Sequence, residues 1–452
     1  SDNGYYPANK VLDNVVTDDL EFYIDSRNAV SYPRSGNDIL DLSGDANDGT
    51  LENGVGFDET VEALTFDGVD DFVQMASNII PPTGAFSMEF LYQISSIGGR
   101  GGMFERKSSS PYNGALIGQG GSGNWAFQVN NGSQNLTYTS TYPTTNKWYH
   151  DVGVYDGVNN IKFYRNGVLL GSVTGATIGN IDSGGTRDNL RLMRRDSNSP
   201  ELEGKVASSK VYTKQLSTAE VFQNYFQGPI TTDDLVFSLD ASNLVSFEPD
   251  TTAVYNLTGS FSAAAGDGVL TNGVGFSNSS NGAWDFDGVD DYIAVSNLGL
   301  SSHTMEGWIN SDDNTQGGPT YATIVSVFGN YDGGASKYTY IGFIPELTFR
   351  IDNGVASHAN IVTYANFPDD WFHVALTYDA TSGKAIAYLN GVEIGSTTST
   401  TNITFDSVPF NIARSVPGGY FDGSVAQSMV YDRALTTQEI QQNYNANVKK
   451  YT

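Results

Sequence analysis

The 452-residue sequence predicts an all-β protein built as two tandem β-sandwiches, each closed by one short helix. Three observations carry this reading. The chain repeats itself over a domain length, its strand-like runs are cut by tight-turn residues, and its helix signals fall in one segment per half.

The repeat is long and ordered. TDDLEFYIDSRNAVSY from Thr17 returns as TDDLVFSLDASNLVSF from Thr232, FDGVDDFV from Phe66 as FDGVDDYI from Phe286, and LSTAEVFQNY from Leu216 as LTTQEIQQNY from Leu435. The offset is 215 at the start, 220 at the FDG motif, 223 at Trp148/Trp371 and 219 at the end, so the same elements recur with small compensating insertions. Solenoid repeats have periods of roughly 20–50 residues, so this is a duplicated domain. Residues 17–228 form domain 1 and 229–452 domain 2, and units of this length can each bury a core. Residues 1–16 are an arm without a counterpart, carrying Tyr5 and Tyr6 and suited to docking on a partner or on domain 1. The join Gln227-Gly228-Pro229-Ile230 is short, which predicts a close tandem.

Fifty glycines, with abundant Asn, Asp, Ser and Thr, separate runs rich in β-branched and aromatic residues, the pattern of strands closed by tight turns. Alternation is clear from Trp148 to Tyr155 and from Trp371 to Tyr378. In the runs that follow, Asn166-Gly167 and Asn390-Gly391 predict type I′ hairpins, because Asn-Gly accepts two positive φ values. Ser217-Thr-Ala-Glu220 and Thr436-Thr-Gln-Glu439 match capping boxes, and Val221, Phe222 and Tyr225, like Ile440 and Tyr444, then share one helical face. Each half therefore ends in a helix of about ten residues.

Charged residues are sparse at 16%, yet the net charge is −28. Residues 1–228 carry 16 Lys+Arg against 27 Asp+Glu, and residues 229–452 carry 7 against 24, so both halves are acidic. A field of that sign disfavours nucleic acid and anionic membrane and favours cations. There is no cysteine, and the opening SDNGYYPANK is polar with no charged-then-apolar leader, which points to a bacterial or viral source. No apolar run approaches the ~18 residues a membrane span requires.

The motifs now form an ordered set: a DLVFSLDASN-like start, FDG-x-D-D-Y/F, Ser87-Met-Glu-Phe-Leu and Thr304-Met-Glu-Gly-Trp, a Trp-x-His strand, a Tyr-x-Asn-Gly hairpin, and a closing G-x-V-A…V-Y before the capping box. This set resembles the laminin-G-like, pentraxin-like branch of the concanavalin A-like fold over residues 17–228 and 232–446. The resemblance implies two curved antiparallel sheets packed as a jelly roll in each half. Tandem domains with this opening and this tail also resemble virion structural proteins of tailed phages. That likeness implies a head-decoration, fibre or appendage protein on a virion surface, with other virion proteins as partners and weak adhesion to cell-surface glycans. A secreted bacterial adhesin or carbohydrate-binding module pair is the alternative, and a glycosidase-like enzyme a third.

The candidate chemistry is of four kinds. Asp67, Asp70, Asp71, Asp287, Asp290 and Asp291 could supply the six to eight hard oxygens a structural calcium needs, or could be turn carboxylates accepting backbone N–H groups. No other cofactor is implied. Glu89 and Glu306 are isolated on their strands, without the second carboxylate that glycoside hydrolysis requires, and His150 and His373 read as structural residues, so no catalytic group is assigned. The stretch between the Glu strand and the Trp-x-His strand diverges most between copies, as binding loops do. There Tyr112, Asn113, Trp125 and Gln128, and in the second copy Tyr321, Asn330, Tyr331, Asp332 and Tyr338, are candidate glycan contacts, or edge-packing residues. Finally, Arg187, Arg191, Arg194 and Arg195 form a basic cluster of which domain 2 keeps only Arg414. It could grip an acidic partner surface, making domain 1 the anchor and domain 2 the outward face, or an anionic glycan, or be a solvated face with local ion pairs.

Overall fold

The computed structural model describes residues 14–107, 110–119, 124–185, 187–195, 201–258, 266–278, 282–312, 325–330, 338–344, 346–352, 359–364, 367–398, 409–415 and 419–451. The chain divides into two compact units between Gln227 and Gly228. Each unit is built on two eight-stranded antiparallel sheets face to face, with one helix after the last strand, and domain 2 adds a two-stranded ribbon of Arg414–Ser415 and Gly419–Tyr420.

In domain 1 the first sheet runs, edge to edge, through Val168–Thr174, Asn160–Arg165, Trp148–Tyr155, Phe86–Ile94, Glu203–Tyr212, Ala63–Asp67 and Gly56–Asp58, with Leu20–Asp25 also pairing Glu203–Tyr212. The second sheet runs through Asn135–Ser140, Trp125–Asn131, Asn113–Gln119, Gly102–Arg106, Arg191–Leu192, Phe72–Met75, Gly49–Glu52 and Asp38–Ile39. The central strand Phe86–Ile94 shows why the sheets stack. Phe86, Met88, Phe90, Tyr92 and Ile94 point inward and meet Met103, Ile117, Trp125, Phe127 and Val73 of the other sheet. The alternate residues Ser87, Glu89, Leu91 and Gln93 point outward and are buried all the same, on the face that the helix shares.

Domain 2 repeats the order strand for strand in its first sheet, from Gly275–Ser277 through Ala283–Asp287, Asp422–Tyr431, His303–Ser311, Phe372–Asp379 and Lys384–Leu389 to Val392–Thr398. Leu235–Asp240 joins it as Leu20–Asp25 does in domain 1. Its second sheet holds Ala253–Val254, Gly268–Thr271, Tyr292–Ala294, Asn411–Ile412, Val325–Gly329, Tyr338–Ile344, Glu346–Asp352 and Ala359–Tyr364.

The local signals act as their chemistry dictates. Asn166 and Gly167 have φ of 50° and 78°, and Asn390 and Gly391 have 49° and 75°, the two positive values of a type I′ turn. Helix α1, Thr218–Phe226, starts at a reciprocal Ser217–Glu220 capping box and stops at Gln227, which turns left-handed at φ 56°. Helix α2, Thr437–Tyr451, has the same box, with Thr436 N donating to Glu439 and Glu439 N donating to the Thr436 hydroxyl. It runs to 15 residues against nine in α1. The extra length places Tyr451 against Trp308 and Trp371, at ring distances of 5.0 and 5.5 Å, so packing extends this helix past the expected ten. Among the described residues no helix is long and apolar enough to cross a membrane.

Tyr5 and Tyr6 of the arm lie outside the described residues. Its end does not: Val16 is buried and its N–H donates to the Asn224 side chain on α1 at 2.9 Å.

Candidate functional site

The isolated strand glutamates are built into the scaffold. Glu89 is 1% exposed on the outward face of its strand, beneath α1. It contacts His150 Nε2 at 3.1 Å and Lys210 Nζ, and accepts from Asn224 Nδ2 at 2.6 Å. Burial alone would raise its pKa, but Lys210 and then His150 outweigh that and bring it down to about 2. Asn224 also donates to the Tyr212 hydroxyl at 2.9 Å and accepts from Val16, so one amide pins helix, sheet and incoming chain together. Domain 2 builds the same pin. Asn443 donates to Glu306 at 2.5 Å and to Tyr431 at 3.0 Å, and accepts from Thr231 N at 2.7 Å. His373 faces Glu306 at 3.3 Å, while the position of Lys210 is taken by Met429. A carboxylate sealed under a helix and held by an amide has no route to a substrate.

The sugar candidates of domain 1 do not come together. Asn113 and Trp125 sit at opposite ends of one hairpin, paired with Asn131 and Gln119 respectively. Trp125 is wholly buried, stacked on Tyr92 at 4.8 Å with its indole N–H donating to Asp151 at 2.8 Å. It is a core residue, because a sugar platform must be reachable. Gln128 is half-buried and donates to Thr137 at 2.9 Å. In domain 2, Tyr321, Tyr331 and Asp332 lie outside the described residues. Asn330 is buried and accepts from Thr339 N at 2.8 Å, and Tyr338 is 5% exposed, with the Arg350 guanidinium 5.4 Å above its ring. Both are packing residues, which corrects the reading of them as contacts.

Tyr112 is different. At 38% exposure it is the one aromatic side chain among the described residues that stands in solvent. Its neighbour Asn113 is buried and donates through Nδ2 to the carbonyls of Ile181 and Gly185, at 2.9 and 2.7 Å. That grip draws residues 181–185 onto the hairpin end. Gly132, at φ +91°, completes the contact: a Cβ there would lie 3.0 Å from Gly184 and 3.3 Å from Pro111. Ser183 Oγ donates to Asn131 O at 2.8 Å, and Lys107 Nζ to Gly184 O at 3.2 Å. Three loops thus meet at one end of the sandwich, with Tyr112, Ser133, Ser183, Asp182 and Lys107 all at least partly exposed. The partners of Asn113 at this end lie 68 and 72 positions away, and no motif or period in the sequence links them.

The arginine cluster is not a free basic face. Arg187 is 5% exposed and pairs with Glu105 at 2.6 Å and Asp182 at 2.7 Å, and it donates to Ile80 O. Glu105 is fully buried, and burial pushes its carboxyl up to about 7 against the pull of Arg187 and of the Ile79 and Ile80 N–H groups. Arg191 donates to Gln74 at 2.7 Å, and Arg194 pairs with Glu201 at 3.1 Å while lying 4.3 Å over the Phe72 ring. Arg195 is half-buried and also has a partner. Arg414 repeats the stacking of Arg194, 4.3 Å over Tyr292. The arginines knit domain 1 together, so the expectation of a partner-gripping patch is corrected to internal ion pairing.

The acidic motifs are turns with clustered carboxylates. Gly68 and Gly288 have φ of +75° and +71°, and a Cβ on them would lie 2.9 Å from Glu203 and 2.8 Å from Asp422, so only glycine fits. Asp67 accepts from Val69 N at 2.8 Å, and Asp71 Oδ2 accepts from Asp67 N at 3.0 Å. Asp287 and Asp291 repeat both bonds at 2.9 and 3.3 Å. In each copy the three carboxylates bring an oxygen within 4.8 Å of one another. Burial first, and then repulsion from the neighbouring aspartates, raises Asp71 and Asp291 above the usual carboxylate range.

Known proteins resemble the chain at the level of this architecture. Its sequence matches the Laminin_G_3 family, described as the concanavalin A-like lectin/glucanases superfamily, over residues 67–222 and 287–441. No curated protein matches. Among solved structures, domain 4 of an extracellular arabinanase from Geobacillus stearothermophilus, in complex with arabinotriose, is 17% identical, covering 47% of this chain and 98% of that one at a TM-score of 0.37. The binding domain of botulinum neurotoxin DC is 12% identical, covering 92% and 95% at 0.39, and that of Paraclostridial Mosquitocidal Protein 1 is 12% identical, covering 82% and 76% at 0.38. Likenesses this distant add nothing about function, and nothing in these matches points to a virion. With one family match on each two-sheet sandwich, the chain belongs to the concanavalin A-like lectin/glucanases superfamily, twice over.

Proposed function

We propose that the chain is a non-catalytic glycan-binding tandem, with the loop end of domain 1 around Tyr112 as a sugar-contacting surface. One observation carries the reading: Tyr112 is the exposed aromatic of the described chain, next in sequence to Asn113, which holds the loop of residues 181–185 with the partly exposed Asp182 and Ser183. A ring of that kind packs on the apolar face of a pyranose while neighbouring polar groups take its hydroxyls. Family membership leaves lectin and glucanase open. Adhesion is favoured over hydrolysis because Glu89 and Glu306 are engaged in the helix pins. Linkage of two modules would raise the avidity of weak sites through effective concentration.

We adopt the secreted adhesin or carbohydrate-binding module over the phage head-decoration, fibre or appendage protein. Adhesion needs only the loop end just described. A virion role needs a surface for its neighbours, and the arginines expected to form one are paired inside domain 1. A glycan array probed with the full chain, alongside reducing-end release from the polysaccharides it retains, tests the reading. Binding without release supports it. Release, or silence across the array, contradicts it. Mass spectrometry that finds the chain in phage particles would return the weight to a virion.

A further inference from the structure

We propose that domain 1 closes a covalent bond within itself, an isopeptide between the Lys210 amine and the Asn224 side-chain amide, with Glu89 carrying the proton. The bond is independent of the glycan surface and rests on no part of that reading.

The three side chains already meet. Lys210 and Glu89 are direct cross-strand partners on the outward face of the first sheet, and Asn224 reaches them from α1. All three are buried, at 4%, 1% and 5% exposure. Lys210 Nζ donates to Glu89 Oε1, and Asn224 Nδ2 donates to Oε2 of the same carboxylate at 2.6 Å. One carboxylate thus holds the attacking nitrogen and the leaving nitrogen, one on each oxygen. The Asn224 carbonyl oxygen accepts from Val16 N–H at 2.9 Å, a donor aimed where negative charge develops during attack. The Tyr23 ring lies 4.9 Å from Nζ, and the Tyr212 hydroxyl accepts from Asn224 at 2.9 Å, so the reacting groups sit among buried aromatic side chains. Such surroundings disfavour the ammonium form of a lysine and favour its nucleophilic amine.

Against the upward push of burial, Lys210 and His150 hold the Glu89 pKa low, so the ion pair is the resting state. In the step, Glu89 takes a proton from the Lys210 ammonium, and the freed lone pair attacks Asn224 Cγ. Glu89 then passes that proton to Nδ2, and the Cγ–Nδ2 bond breaks. Ammonia departs with the surplus proton of the new amide, as ammonium. Glu89 ends as the carboxylate it began as, and no outside reactant is consumed.

Domain 2 shows the same pin without the nucleophile. Met429 faces Glu306 where Lys210 faces Glu89, so Asn443 keeps its hydrogen bonds to Glu306 and Tyr431 with methionine in place of the amine. Its helix runs to 15 residues and anchors through Tyr451 on Trp371, whereas α1 has nine. The covalent tie belongs to the copy with the shorter helix.

Mass spectrometry of the denatured full chain, purified at neutral pH, decides the matter. The expected result is one bond per chain, seen as a mass about 17 Da below that of the sequence, the ammonia expelled by the attacking amine. A protease digest should yield a branched peptide joining Lys210 to Asn224. Lys210→Met, which copies domain 2, and Glu89→Gln, which keeps the side chain's size, should both restore the full mass, with melting curves showing that each variant is folded. The full sequence mass in the unmodified chain would overturn the proposal, whatever the variants do. So would a deficit that persists in Lys210→Met, or one that maps to an Asn-Gly pair, where a succinimide loses the same mass. A deficit kept in Glu89→Gln would overturn the role of Glu89. None of these outcomes touches the glycan reading, which rests on Tyr112.

Discussion

In domain 1 the wholly buried Asp151 accepts from the Tyr92 hydroxyl and the Trp125 indole, each at 2.8 Å, and is paired by Arg165 at 2.8 and 2.9 Å. In domain 2 the same register positions hold no polar group. Val374 pairs with Leu389 where Asp151 pairs with Arg165, Ile309 stands for Tyr92, and Leu347 stands for Trp125. One fold has filled one place with a charged network and with a plain apolar cluster. Replacing a buried ion network by matched apolar groups is often neutral or stabilising, whereas removing a single partner strands a charge. The two copies show both acceptable end states, and the intermediates between them are the costly ones.

A second contrast lies on the outer face. Glu89 has His150 and Lys210, whereas Glu306 has His373 and, in place of the lysine, Met429. The amide pins Asn224 and Asn443 are common to both. What is held constant is the attachment of the helix. What varies is how the buried charge beneath it is neutralised.

These contrasts can be broken by mutation. The largest effect is expected from Asp151→Ala, which leaves Arg165 buried and uncompensated and should cost about 3–5 kcal/mol. In calorimetry domain 1 should then melt well before domain 2. The fourfold change Tyr92→Ile, Trp125→Leu, Asp151→Val and Arg165→Leu should recover most of that loss. A single variant as stable as the parent would show that the network is not a unit.

The next effect is pH-dependent. The Glu89 carboxyl is held near 2 in the fold against an ordinary 4.5, so its stabilising contribution is present above about pH 4.5 and is lost as pH falls towards 2. Lys210→Met imposes the domain 2 arrangement and removes one of the two cations that lower this pKa. Acid unfolding of domain 1, followed by tryptophan fluorescence, should move to higher pH. An unmoved midpoint would mean that His150 and Asn224 suffice, as their counterparts do in domain 2.

The smallest effect concerns the caps. Ser217→Ala and Thr436→Ala should each cost about 1 kcal/mol. The loss should be more visible in domain 1, whose helix is nine residues long against 15 and lacks the Tyr451 anchor. Denaturant midpoints of the two transitions check this.

Local chemistry was legible in the sequence wherever it is local in space. The Asn-Gly turns, the capping boxes, the glycines of the FDG turns and the terminal helices all follow from adjacent residues, and the duplicated motif order carried the two-sheet architecture. The site was less legible because divergence between copies was read as loop divergence. Much of it, at Trp125/Leu347 and Tyr92/Ile309, is a core exchange inside strands, and period-two alternation alone does not say which face is the interior. The arginine cluster misled for a related reason: its carboxylate partners Glu105 and Asp182 come from other segments, and Arg187 reaches them only in the folded chain. Tyr112, one of nine residues the sequence offered as glycan contacts, is exposed, but the segment 181–185 is held at this end by Asn113 and by nothing visible in the linear sequence.

The most direct measurement for the central claim is a titration of the best-retained array glycan into the full chain and into its Tyr112→Ala variant, with melting temperature as the control for folding. The account predicts saturable binding in the first, at least tenfold weaker binding in the second, and equal melting temperatures, because Tyr112 is solvent-exposed. Unchanged affinity in the variant would contradict it, since the sugar would then sit elsewhere than on the exposed tyrosine of domain 1.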